Sequence, residues 1–264
     1  MIWLLQLPAW LVAFMVVVMT VGLSVLGLIV TRRMVSQERL EKVSTVSEPV
    51  FTLAGVLYAV LVAFVVVVVW EQFDAAQSAT ESEATAIADL LRDSEGLPAA
   101  AQPAVQQSLI AYARSVIDEE YPAMQRGEPV DQQSAELTGI WHSYIRTEPV
   151  TQSQIAFYRE SLTRLDDLGT ARKVRLTGSE DEIPNELWVL LIGGGAVMLV
   201  FTYMYASSDA VLHGALIGLA AALMAFVLYL IFALEHPFVG TLAVPDSPFH
   251  HVLELSVNPA THTH

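Results

Sequence analysis

The stretch Phe51–Trp70, FTLAGVLYAVLVAFVVVVVW, holds twenty residues without a charge and decides the fold. A bilayer core about 30 Å thick takes ~20 apolar residues in a helix rising about 1.5 Å each. The run Val65–Val69 lacks the alternation of barrel strands, which leaves a helix. Outward from it, Leu7–Val30, Leu187–Ala206 and Ala210–Leu234 are at least as long, apolar and free of Asp, Glu, Lys and Arg. The 264 residues therefore read as an all-α integral membrane protein with four transmembrane helices. A helical soluble insert separates the second span from the third. The expected segments are 1–70, a first helix pair with a short basic loop; 71–186, an acidic soluble domain; 187–235, a second helix pair; and 236–264, a C-terminal tail.

Charge is unevenly placed. The insert carries 21 acidic against nine basic residues, most of the chain's formal −15. Such a surface argues against nucleic acid, because phosphate binding needs clustered Lys and Arg. It reads either as the solubility of an exposed domain or as a reservoir that draws cations to a membrane pathway. Absent cysteines exclude disulfides and thiolate chemistry and leave the compartment open. The N-terminus lacks a basic leader region, so the first apolar stretch reads as a retained span. Arg32 and Arg33 abut that span, with Arg39 and Lys42 following in the same loop. Short basic loops stay in the cytoplasm, which places the insert outside.

From Trp70 to Arg92 there is no Pro or Gly, so the second span is expected to continue into water as one helix. Gly96 and Pro98 end it. Further helices are expected over 99–120, stopping before Pro122, over 131–146, and over 152–175 with Thr151 as its cap. Ile155, Phe157, Leu162, Leu165 and Leu168 supply an apolar face there. A linker at Thr177-Gly178-Ser179 leads to the third span. Beyond Trp70, the residues Glu71, Asp74, Ser78, Glu81 and Thr85 recur in steps of three and four, on one face. Set around an axis by several subunits, Glu71 and Asp74 form carboxylate rings at a pore mouth and favour cations. The alternative is a solvated face opposite a packed stripe of Phe73, Ala76, Ile87 and Leu90 or Leu91.

Small residues repeat at Gly193, Gly194 and Gly195 in the third span, and at Gly214, Gly218 and Ala222 in the fourth. They suit close helix packing in lipid or a hinge. The two glycine faces exceed what one four-helix bundle needs, which implies a homo-oligomer. His213 reads as a headgroup-facing residue, and Glu235 as fixing the end of the fourth span. No phosphate loop, catalytic triad order or HExxH motif occurs, so no catalytic residue and no cofactor is assigned. His142 reads as structural. His250, His251, His262 and His264 lack the carboxylate support of a metal site, and none is assigned.

Three segments carry a family resemblance. They are Tyr58-Ala59-Val60-Leu61-Val62-Ala63-Phe64 with Trp70-Glu71 and Glu83-Ala84; Pro184-Asn185-Glu186-Leu187-Trp188; and Glu235-His236-Pro237-Phe238-Val239-Gly240 with Pro245 and Pro248-Phe249. Together they resemble the bacterial bestrophin-like family of unknown function. Glu235 departs from the aspartate expected before the Pro237-Phe238 pair. The resemblance implies a multi-pass protein of the bacterial inner membrane, related to pentameric ion channels whose soluble part is cytosolic and whose relatives conduct anions. Its partners would be the lipid bilayer, inorganic ions and further copies of itself. Two functions compete: a homo-oligomeric channel lined by the second span, and a non-conducting scaffold or sensor whose insert binds a partner or ligand.

Overall fold

A computed structural model describes residues 9–35, 37–180, 183–205 and 209–257, with the side chains of 9, 37–48 and 257 outside the description. His262 and His264 lie outside the described residues, as do the side chains of Arg39 and Lys42. All regular structure among the described residues is helical: α1 (Ala9–Met34), α2 (Gln37–Ser94), α3 (Gln102–Ser115), a π turn at Val116–Glu120, α4 (Tyr121–Gln125), α5 (Ala135–Ile145), α6 (Gln152–Glu180), α7 (Asn185–Tyr203), α8 (Ala210–Leu234) and α9 (Ser247–Val257). Four of these helices, α1, α2, α7 and α8, are long and apolar enough to cross a membrane. The helices fall into two compact units. Of the described residues, one holds those up to Glu71 and from 183 to Glu235; the other holds Gln72 to 180 and His236 to 257.

In the first unit, α1 packs along α8. Val12, Ala13 and Val16 meet Tyr229 and Ala233, while Leu28 meets Ile217 and Tyr203. The expected basic loop after the first span is short-lived: α2 already begins at Gln37 and runs through Pro49. That proline sits inside the helix at the cost of one backbone hydrogen bond. The membrane-length half of α2 touches α7 through Phe51, Gly55 and Tyr58. Phe51 stacks against Phe201 at 6.1 Å and edge-on against Tyr205 at 5.7 Å. Val65 and Val69 are buried, while Leu53, Leu57, Phe64 and Val67 are exposed in the single chain.

The second unit has a core of Ile87 and Leu90 from α2, Leu109 and Tyr112 from α3, Ile140 and Tyr144 from α5, and Leu165 and Leu168 from α6. Each buried Leu or Ile contributes roughly 1.5–3 kcal/mol. Leu165 and Leu168 enter this core, Leu162 packs at its edge, and Phe157 stays exposed. Phe238, Val244, Phe249 and Val252 join the same cluster, so the segment read as a tail packs with the insert.

Two helix ends differ from expectation. The chain does not stop before Pro122: a π turn over 116–120, closed by Tyr121 N–H to Val116 O, carries it into α4. Proline brings no N–H and is tolerated in the first turn, where that group has no partner anyway. The linker at 177–179 is helix instead, because Gly178 lies against Ala76 and Leu176 is buried. At Gly96 a Cβ would fall 2.3 Å from the Phe157 ring, so a larger residue there would have to displace that ring.

Candidate functional site: the acidic face of α2 and the ion network behind it

Helical register divides the second half of α2 into two faces. Glu71, Asp74, Ser78, Glu81 and Thr85 are exposed, whereas Ala76, Ala79, Thr80, Glu83, Ala84, Ile87 and Leu90 are buried. The exposed face is laced along the helix. Gln77 donates to Glu81 Oε1 at 3.1 Å, and Thr85 Oγ1 donates to the Glu81 carbonyl at 2.8 Å. Ser78 and Glu81 line a groove of about 850 Å3 between α2 and α6, with Asp89, Arg164 and Asp167 on its walls. No Lys or Arg stands on α2 between Lys42 and Arg92.

What fixes this face is a charge on the opposite one. Glu83 is fully buried and receives Arg175 of α6 in two bonds, Nε to Oε2 at 2.7 Å and Nη2 to Oε1 at 2.9 Å. Arg175 also donates to Glu120 Oε2 at 2.5 Å. Glu120 takes Arg172 at 2.8 Å, and Arg172 donates further to the carbonyls of Asp131 and Gln132. The Tyr112 hydroxyl donates to Glu83 Oε1 at 2.6 Å, and the rings of Tyr121 and Phe249 lie near the Arg175 guanidinium. Two guanidiniums thus meet two carboxylates, the balance a buried cluster needs. Burial works against the Arg175 charge, yet Glu83 and Glu120 outweigh it and hold the guanidinium well above its usual range. Burial, then the Glu83 charge, pushes the Tyr112 phenol well above its ordinary value. Nearer the end of α2, Arg164 pairs with Asp89 and Asp93.

Sequence reading missed Arg172, Arg175 and Glu120, and quoted Glu83 without a role. A signal was present. Glu83 keeps step with Ala76, Thr80 and Ile87, and Arg172 and Arg175 keep step with Leu165 and Leu168. A charge in an apolar register needs a buried partner.

The other singled-out residues are dispersed. Glu235 ends α8 and accepts from Ile183 N–H at 2.8 Å and from Trp188 Nε1 at 3.1 Å, joining α8 to the start of α7. Phe238 lies edge-on to Tyr121 at 5.8 Å, and the Pro237 carbonyl accepts from Val244 N–H at 2.7 Å. Gly194 and Gly195 face Tyr58, Gly195 also faces Met224, and a Cβ at Gly193 would meet open space. Gly214 and Gly218 face Leu28 and Val21 of α1. Gly194, Gly195, Gly214 and Gly218 therefore serve packing inside one chain, and of these glycines Gly193 alone opens to space. His213 is also placed differently from expectation: it is buried, with both ring nitrogens bonded inside its unit. His142, His250 and His251 are exposed. Among the described residues no group of three or more His, Cys, Asp or Glu is arranged to hold a metal ion.

Comparison with known proteins places the chain. The family profile described as Bestrophin-like domain matches residues 18–249. Two solved chains of a bacterial bestrophin homolog from Klebsiella pneumoniae, each with a point mutation to threonine, share the fold. The isoleucine mutant has a TM-score of 0.66 at 15% identity, covering 91% of this chain and 99% of its own. The leucine mutant has 0.59 at 14%, covering 94% and 99%. No protein of curated function matches the chain.

Proposed function

The chain belongs to the bestrophin-like family, and on that premise we propose that it is a homo-oligomeric ion channel of the bacterial inner membrane, with α2 lining the conduction path. One observation carries this reading. The apolar half of α2 keeps most of its side chains uncovered in the single chain, and the same helix runs without a break into the face of Glu71, Asp74, Ser78 and Glu81. A helix so sparsely covered suits a position where further copies meet it. Its acidic continuation suits a vestibule that favours cations. The subunit number is proposed as five from the family's known relatives. The basic pair Arg32–Arg33 supports a cytoplasmic end of α1 and an outward-facing unit 72–180.

The uncharged membrane half of α2, polar only at Thr52 and Tyr58, favours the second reading, a scaffold or sensor that does not conduct. Purified protein in liposomes separates the two. Ion flux from particles whose mass is a multiple of 28.9 kDa supports the channel; tight vesicles or a monomer of 28.9 kDa reject it.

A further inference from the structure

His213 ties together three helix ends in the first unit. Arg32 of α1 lies with Nη2 3.1 Å from His213 Nδ1, and the Thr202 carbonyl in the last turn of α7 lies 3.1 Å from His213 Nε2. A guanidinium has only donors, so Nδ1 must offer its lone pair. Nε2 then carries the hydrogen and donates to Thr202, one of the carbonyls that a helix end leaves without an intrahelical partner. The bond from Arg32 holds for the neutral ring alone, whereas the Nε2–H bond to Thr202 serves either charge state. On protonation Nδ1 gains a hydrogen that points at a cation, and the contact with Arg32 turns repulsive.

Among the described residues, the ionisable side chains near the imidazole in the chain's helix ends are Arg32 on α1, with Arg33 exposed beside it, Tyr203 and Tyr205 at and beyond the end of α7, and Asp209 at the start of α8. The Asp209 carboxylate accepts from Val211 and Leu212 N–H. Pro49 to Leu57 of α2, near Tyr205, carries no ionisable group. A cavity of about 340 Å3 lined by His213, Thr202, Tyr205 and Leu212 gives a proton access to the ring.

We propose that His213 is a proton-operated latch that holds the end of α1 to the α7–α8 corner when neutral and releases it when protonated. The absence of cysteine makes the test direct. Spin labels go on the full-length chain through Met34→Cys and Val211→Cys, both highly exposed positions on the two helices. Their distance distribution is then measured between about pH 8 and about pH 5, where an imidazole changes charge. The expected result is a reversible lengthening or broadening in acid that disappears with His213→Gln. If that variant does not fold, Arg32→Gln decides, since an imidazolium then faces no cation and the acid step is lost. A distribution unchanged by pH overturns the latch, and so does an acid step that survives in whichever variant decides. Neither outcome depends on ion flux, so the channel reading stands or falls separately.

Discussion

The Tyr58 hydroxyl donates to the Leu191 carbonyl at 2.9 Å, and its ring occupies the space a side chain on Gly194 would need, with ring carbons 2.8 Å from an ideal Cβ. This pairing gives the α2–α7 contact a polar bond among apolar residues. In an apolar medium a carbonyl already bonded within its helix has a second lone pair to offer, and the tyrosine uses it.

Tyr58→Phe is expected to cost about 0.6–1.7 kcal/mol, the range for interhelical hydrogen bonds in membranes. Gly194→Ala is expected to cost more, roughly 1–3 kcal/mol, because a rigid ring must be displaced. Equilibrium unfolding in detergent measures both. Equal stability of Tyr58→Phe and the native chain would show that ring packing alone holds α2 on α7.

Removing Glu83 leaves Arg175 buried with one carboxylate shared between two guanidiniums. Glu83→Ala is expected to destabilise by about 3–5 kcal/mol, and Glu83→Gln by less, since an amide still accepts from Arg175 and Tyr112. Thermal unfolding of the full chain in detergent reads this order. Reversal would mean that the α2–α6 pairing rests on Ala76, Gly178 and the Arg164 cluster.

The four spans and the run of α2 from Phe51 to Ser94 were legible because they depend on the chain itself: apolar length, and no Pro or Gly from Trp70 to Arg92. The start of α2 at Gln37, ahead of Pro49, was not. The exposed register of Glu71 to Thr85 was legible for the same reason. Glu120 was not, because a π turn sets its direction, and the two residues that close that turn, Val116 and Tyr121, are buried in the tertiary core. Nor were the partners of the glycines. Spacing shows that a face is narrow, but not that Val21 and Leu28 of the same chain fill it.

Alkaline pH should unfold the second unit through its tyrosines. Burial pushes Tyr121 and Tyr144 up to about 12, and Tyr112 well above its ordinary 10. Their contribution is therefore complete below about pH 10 and lost as pH rises towards about 12, since the unfolded chain ionises first. Two pKa units correspond to roughly 2–3 kcal/mol per tyrosine. Melting temperature should hold level to about pH 9.5 and then fall, and Tyr144→Phe should make that fall shallower. An unchanged slope in the variant would exclude Tyr144 as a source.

Topology is read from a single reporter. Cysteine in place of Gln107, exposed on α3, should react with an impermeant reagent in intact cells if the basic pair Arg32–Arg33 is cytoplasmic. Reaction only after lysis would place 72–180 in the cytosol, the side that the soluble part of known bestrophins occupies.

Ion choice sets two arguments against each other. The family resemblance brings relatives that conduct anions, whereas Glu71 and Asp74 follow the valine-rich half of α2 with no basic residue before Arg92. In a ring of subunits each carboxylate is repeated around the axis, and the potential at the mouth is the sum over copies rather than that of one side chain. An anion entering there meets negative charge alone, while a cation is concentrated. Paired Glu71→Gln and Asp74→Asn should therefore lower cation permeability relative to chloride and move the reversal potential in asymmetric salt towards the chloride equilibrium, with assembly intact. The shift should shrink in high salt, because charges in contact with solvent are screened. A reversal potential that does not move would make the stripe a solvated helix face, and the determinant of selectivity would then lie among the uncharged residues of 51–70.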